Sequence, residues 1–133
     1  MLDHISITVS DIERAAPFWD AVMAALMVPQ VVRNEHQLGY GLRNRSDDDS
    51  HTYLSLFRSR GPDFVPDNRH WCFRAPSREA VDAFHAAGLA NGGTCGGPPG
   101  LRADYHPGYY AAFLLDPDGN RIEAVYHRLP RGG

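Results

Sequence analysis

Residues 3–23, DHISITVSDIERAAPFWDAVM, and residues 69–89, RHWCFRAPSREAVDAFHAAGL, run in step. In each, a charged residue and a histidine open a short run that alternates polar and apolar. His4, Ser6 and Thr8 fall on one side of a strand and Ile5, Ile7 and Val9 on the other, because strand side chains alternate with period two. His70 and Cys72 repeat that pattern against Trp71 and Phe73. A polar residue then starts a helix, Asp11 in the first copy and Ser77 in the second. An aromatic follows fourteen places after each histidine, Phe18 and Phe84. The same strand–helix unit is therefore written twice, about half a chain apart.

The remainder of each half reads as strands. In the first half these are VPQVVRNE (28–35), GYGLRN (39–44) and HTYLSLF (51–57), with the polar run 43–50 as a surface loop. In the second they are GYYAAFLL (108–115) and NRIEAVYH (120–127), joined by a tight turn at DPDG (116–119). The first helix is expected to run to about Met27. The second carries an apolar stripe through Ala80, Val81, Phe84, Ala87 and Leu89, with Gly88 as its end signal. Residues 88–108, rich in glycine and proline, are expected to hold one short strand and a long mobile loop. The fold class is α+β, with two tandem βαβββ modules, one over about 1–60 and the other over about 67–128, in a single domain spanning 1–133. Two such half-sheets are expected to close around a cavity.

The chain has 133 residues, enough to bury a core without covalent staples. Its two cysteines, Cys72 and Cys95, lie in unlike surroundings and read as reduced thiols. No signal peptide is visible, so a cytoplasmic address is expected. A formal net charge of -3 with no basic stripe disfavours nucleic acid and anionic membrane surfaces and favours a small-molecule partner. All 13 cationic residues are arginine, which excludes Schiff-base, pyridoxal and P-loop lysine chemistry.

His4 and His70 point away from the helices at equivalent places in the two modules. Glu123 sits mid-strand between Ile122 and Ala124, a poor position for a solvated charge. Two neutral imidazoles and a carboxylate form a facial site for a divalent cation, leaving positions open for substrate oxygens. Zinc, iron(II), manganese and nickel all suit that donor set. His106 and His127 are either rim acid–base groups or surface histidines, and His36, His51 and His85 read as surface residues.

The chain resembles the vicinal oxygen chelate superfamily, which includes glyoxalase I, fosfomycin-resistance proteins, extradiol dioxygenases and bleomycin-binding proteins. DHISITVSD, HWCFRAPSREAVDAFH and FLLDPDGNRIEAV carry the resemblance, which covers nearly the whole chain. It implies a glyoxalase-like incomplete barrel, a homodimer, and metal ligation by His4, His70 and Glu123. It also implies Glu123 and Tyr109 as the catalytic residues, the phenol orienting or protonating a substrate oxygen. Glyoxalase I has a fourth ligand, a glutamate late in the last strand of its first module. Here that stretch is TYLSLF, with Ser55 or Phe57 at the matching place. A three-ligand site resembles the fosfomycin-type transferases and ring-cleaving dioxygenases more than lactoylglutathione lyase. The expected function is a metal-dependent lyase, dioxygenase or thiol transferase acting on vicinal oxygens. The alternative is a metal-free, drug-sequestering binder with walls from Trp19, Trp71, Phe57, Tyr105 and Tyr109.

Overall fold

The computed structural model describes residues 2–42, 46–47, 50–59 and 69–129. Its elements are β1 (His4–Val9), α1 (Ile12–Ala25), β2 (Gln30–Arg33), β3 (Gln37–Leu42), β4 (Thr52–Arg58), β5 (His70–Arg74), α2 (Arg78–Ala90), β6 (Thr94–Leu101), β7 (Tyr110–Leu115) and β8 (Arg121–Tyr126). Most of the polar run 43–50 and the junction 60–68 between modules lie outside the described residues.

Two four-stranded mixed sheets form, β1-β4-β3-β2 and β5-β8-β7-β6. In each, the first strand pairs parallel with the last, and the last three form a meander in which each neighbouring pair is antiparallel. This is the βαβββ unit twice over, an α+β fold, with the two sheets remaining separate rather than closing into one barrel. The period-two reading holds in β1, where Ile7 and Val9 are buried while His4, Ser6 and Thr8 are exposed.

Both helices begin at the expected caps. The Asp11 carboxylate accepts from Glu13 N–H and the Ser77 hydroxyl from Ala80 N–H. Their ends differ from expectation. The first helix stops at Ala25, because Met27 takes a left-handed backbone (φ 63°). Met27 N–H then bonds Ala24 O and Val28 N–H bonds Met23 O, the double closure that satisfies terminal carbonyls. The second helix runs past Gly88 to Ala90, and the left-handed glycine beyond it is Gly92 (φ 94°). Gly88 is instead a packing residue: a Cβ there would lie 2.4 Å from Leu114 and 3.2 Å from Phe18.

The glycine- and proline-rich stretch holds a longer strand than expected. β6 runs for eight residues, and Pro98 and Pro99 are tolerated because it is an edge strand whose register slips between Gly97 and Gly100.

One core serves both modules. Phe18, Trp19 and Val22 of α1, Phe84 and Val81 of α2, Leu56 of β4 and Leu114 of β7 are all buried in the same cluster. Trp19 Nε1 donates to Asp116 Oδ2 at 3.1 Å, tying the first helix to the β7–β8 turn. Asp116 also accepts from Asp118 N–H, Asn120 N–H and the Asn120 amide. Burial raises its carboxyl above the ordinary value, and the bonds from Asn120 and Trp19 oppose that shift. Trp19 is fully buried, so it cannot wall a ligand cavity as expected for a metal-free binder.

Candidate active site

Residues paired across a sheet place their side chains on the same face. In the second sheet, Cys72 pairs with Glu123 and Glu123 with Phe113, while His70 pairs with Arg121. His70, Cys72, Phe113, Arg121 and Glu123 therefore share the face opposite the helix. Tyr109, just before β7, adds its ring to that face. The tyrosine hydroxyl donates to Glu123 Oε2, and His70 Nε2 lies 3.5 Å from Glu123 Oε1. Tyr110 turns the other way, its hydroxyl donating to Asp82 of α2 at 2.6 Å.

Glu123 is the pivot. It is 3% exposed, whereas the His70 side chain is 56% exposed and open to an incoming group. Desolvation and the bond to Glu123 raise the Tyr109 phenol above its ordinary value, so it holds its proton. Desolvation, with the carboxylate of Glu123 alongside, pushes the Cys72 thiol up to about 12. Cys72 is thus a neutral neighbour at physiological pH, not a nucleophile.

Three rings pack around Tyr109: Tyr105 at 4.8 Å between centroids, His127 at 5.3 Å and His106 at 5.4 Å. Gly108 N–H donates to His106 Nδ1, which puts the His106 proton on Nε2, 3.0 Å from His127 Nδ1. Each histidine so supports the other and, together, the phenol between them. Their partnership was invisible in the sequence, where they stand 21 residues apart.

A cavity of about 550 Å³ lies over this face. Every residue lining it belongs to the second module, among them His70, Glu123, Tyr109 and Arg102. His4 is elsewhere. Its Nδ1 is 2.6 Å from Asp3 Oδ1, and His51 Nε2 is 3.5 Å from the same oxygen. Among the described residues, Asp3, His4 and His51 are the one trio with possible ligand atoms all within 4.8 Å of one another. His51 is only 24% exposed at its side chain and packs against His4 and Tyr53, so the expectation of an ordinary surface residue is corrected. The signal for it was present: His51 heads β4, the strand parallel to β1, with His4 in register with Tyr53. The Asp3 bond engages His4 Nδ1 and leaves Nε2 as the available donor, the way a carboxylate orients a metal-binding imidazole.

The donor set of His70 and Glu123 fits a divalent ion. Two bonds of about 2.0 to 2.2 Å at near right angles separate their donor atoms by roughly 3 Å, close to what this pair already shows. Ser55, at the place of the fourth glyoxalase ligand, is buried opposite Ser6 and Gly39. No carboxylate joins the site from β4.

The family model described as the Glyoxalase/Bleomycin resistance protein/Dioxygenase superfamily matches residues 1–124, and the chain belongs to that superfamily. The crystal structure of a glyoxalase/bleomycin resistance protein from Albidiferax ferrireducens T118 is similar at 36% identity and TM-score 0.79, over 97% of this chain and 99% of that one. A putative glyoxalase from Bacillus halodurans shares 26% identity at TM-score 0.66, with 94% of each chain covered. A lactoylglutathione lyase from Agrobacterium tumefaciens, at 17% identity and TM-score 0.62 over 94% of this chain and 92% of that one, shares the fold alone. No curated protein matches the chain.

Proposed function

We infer that the protein is a divalent-metal-dependent enzyme of this superfamily acting on a small substrate with vicinal oxygens, in the manner of a lyase, ring-cleaving dioxygenase or thiol transferase. The observation that carries this reading is the convergence of His70, Glu123 and Tyr109 on one open face, beneath a cavity of substrate size. A bound divalent ion would supply Lewis acidity to the substrate oxygens. His4, His70 and Glu123 are the residues assigned to hold it.

The protein's own part is proton placement and orientation. Tyr109 keeps its proton and presents it to Glu123, so the phenol can turn from the carboxylate to a developing substrate oxyanion. Turning the phenol frees Glu123 Oε2, the oxygen away from His70, to accept a substrate proton. The rings of Tyr105, His106 and His127 packed around Tyr109 favour small rotations of the phenol over large ones.

His4 lies with Asp3 and His51 and outside the cavity over His70 and Glu123, and the two sheets do not close on each other. On this reading a site holding all three ligands is assembled between two copies, His4 coming from one and His70 with Glu123 from the other. The working unit is a homodimer.

Mixing tests this assignment. His4→Ala and Glu123→Gln proteins are each expected to lose tight metal binding. Unfolded together and refolded as a mixture, they should regain about a quarter of the wild-type sites, because half of the dimers are mixed and each carries one intact site. A mixture that binds no more metal than the separate variants overturns assembly between copies.

A further inference from the structure

The cavity over His70 and Glu123 carries two arginines that the metal chemistry does not use. Arg102 and Arg121 both line it. Arg121 projects from the same face of β8 as Glu123, two residues away, or about 6.7 Å along a strand. Arg102 arrives from the other side, on the loop after β6. Its Nη2 donates to Pro98 O at 2.6 Å, and its guanidinium lies 5.6 Å from the centre of the Phe113 ring.

The glycines of β6 make that placement possible. A Cβ on Gly97 would stand 3.3 Å from Arg102 Nη2 and 3.1 Å from Phe113, and one on Gly100 would stand 3.2 Å from Arg102 Nη1. Both contacts are tighter than an ordinary Cβ approach, so a side chain at either position would make the guanidinium shift by a few tenths of an ångström. Gly97 and Gly100 of the run CGGPPGLR thus leave close-fitting room for the Arg102 guanidinium beside Phe113.

Neither guanidinium has a carboxylate partner among the described residues, although other arginines do: Arg33 pairs with Asp20. The one acid in the cavity, Glu123, is engaged by Tyr109 and His70. In a chain of net charge -3, this cavity therefore holds two guanidinium cations against one carboxylate. A guanidinium presents a planar fork of donors that matches the paired oxygens of a carboxylate or phosphoryl group. Beside the arginines, Tyr105, Tyr109 and Phe113 offer ring surfaces for a flat organic body.

We propose that the ligand of this cavity is a small planar anion, its carboxylate or phosphoryl group read by Arg102 and Arg121 while its body rests on the tyrosine wall. This names the substrate class for the site and rests on the reading of this face as the substrate face.

The test titrates the full-length protein with benzoate, phenylphosphonate and benzamide, following binding by NMR or calorimetry. At least one of the two anions is expected to bind about tenfold or more tightly than neutral benzamide, and more weakly as salt rises. Which of the two binds better distinguishes carboxylate from phosphoryl recognition. Arg121→Gln and Arg102→Gln should each weaken that anion by about tenfold, and Arg102→Lys, which keeps charge but loses the fork, by an intermediate amount. Circular dichroism of each variant establishes that the fold is retained. Equal binding of benzamide and both anions, no binding of either anion, or anion binding unchanged in both glutamine variants would overturn the proposal. Metal content of the same samples is read separately, so a failure of anion recognition is distinguishable from a failure of the metal assignment.

Discussion

Cys72 stands beside Glu123 on the sheet face, and the pair gives a direct reading of the electrostatics there. Desolvation and the adjacent carboxylate both favour the thiol over the thiolate, which places its titration at about 12. The reactive thiolate fraction therefore grows with pH far beyond the range of an ordinary cysteine. In a Cys95→Ser background, alkylation of Cys72 by iodoacetamide should rise about tenfold per pH unit through pH 10 without levelling off. Removing the charge in Glu123→Gln should lower the thiol's titration point and speed labelling at any fixed pH. A plateau near pH 9 would show that neither burial nor the carboxylate acts on the thiol. Among single residues the sequence was informative wherever period two applied: it grouped His70 with Cys72 and placed Glu123 mid-strand. It was silent on Arg102, which reaches the face across a gap left by Gly97 and Gly100, and on the His106–His127 contact, which the fold makes between distant segments.

Among the elements, α2 shows how a correct periodicity can carry a wrong punctuation mark. Gly88 looks like a helix end, yet it lies within the helix, with the end marked by Gly92. What requires glycine at 88 is the approach of Leu114 from β7 and Phe18 from α1. That requirement is tertiary and leaves no local trace in the sequence. Gly88→Ala improves intrinsic helix propensity but forces Leu114 to move from a contact of 2.4 Å. Overpacking should dominate, with a loss of about 1 to 3 kcal/mol in urea unfolding. Unchanged or increased stability would mean that Leu114 has room to rotate. The eight-residue β6 was likewise hidden, because glycines and prolines argue against a central strand and only an edge position accommodates them.

For the whole molecule, the internal repeat is the strongest signal in the sequence, since it alone implies the order of strands and helices in each module and the equivalence of Phe18 and Phe84. How the two modules sit together was not legible, as it depends on side chains such as Trp19 reaching Asp116 across the module boundary. That packing buries the helices in a shared core and leaves the face of the second sheet open, with His70, Glu123 and Tyr109 on it and His4 apart. The proposed chemistry depends above all on this face binding a divalent ion, and elemental analysis of protein purified without chelators measures that without intermediaries. About one divalent ion per chain is expected in the wild type and a loss of tenfold or more in His70→Ala, since removing a ligand collapses affinity. Equal, near-zero metal in both proteins would refute a metal centre on this face.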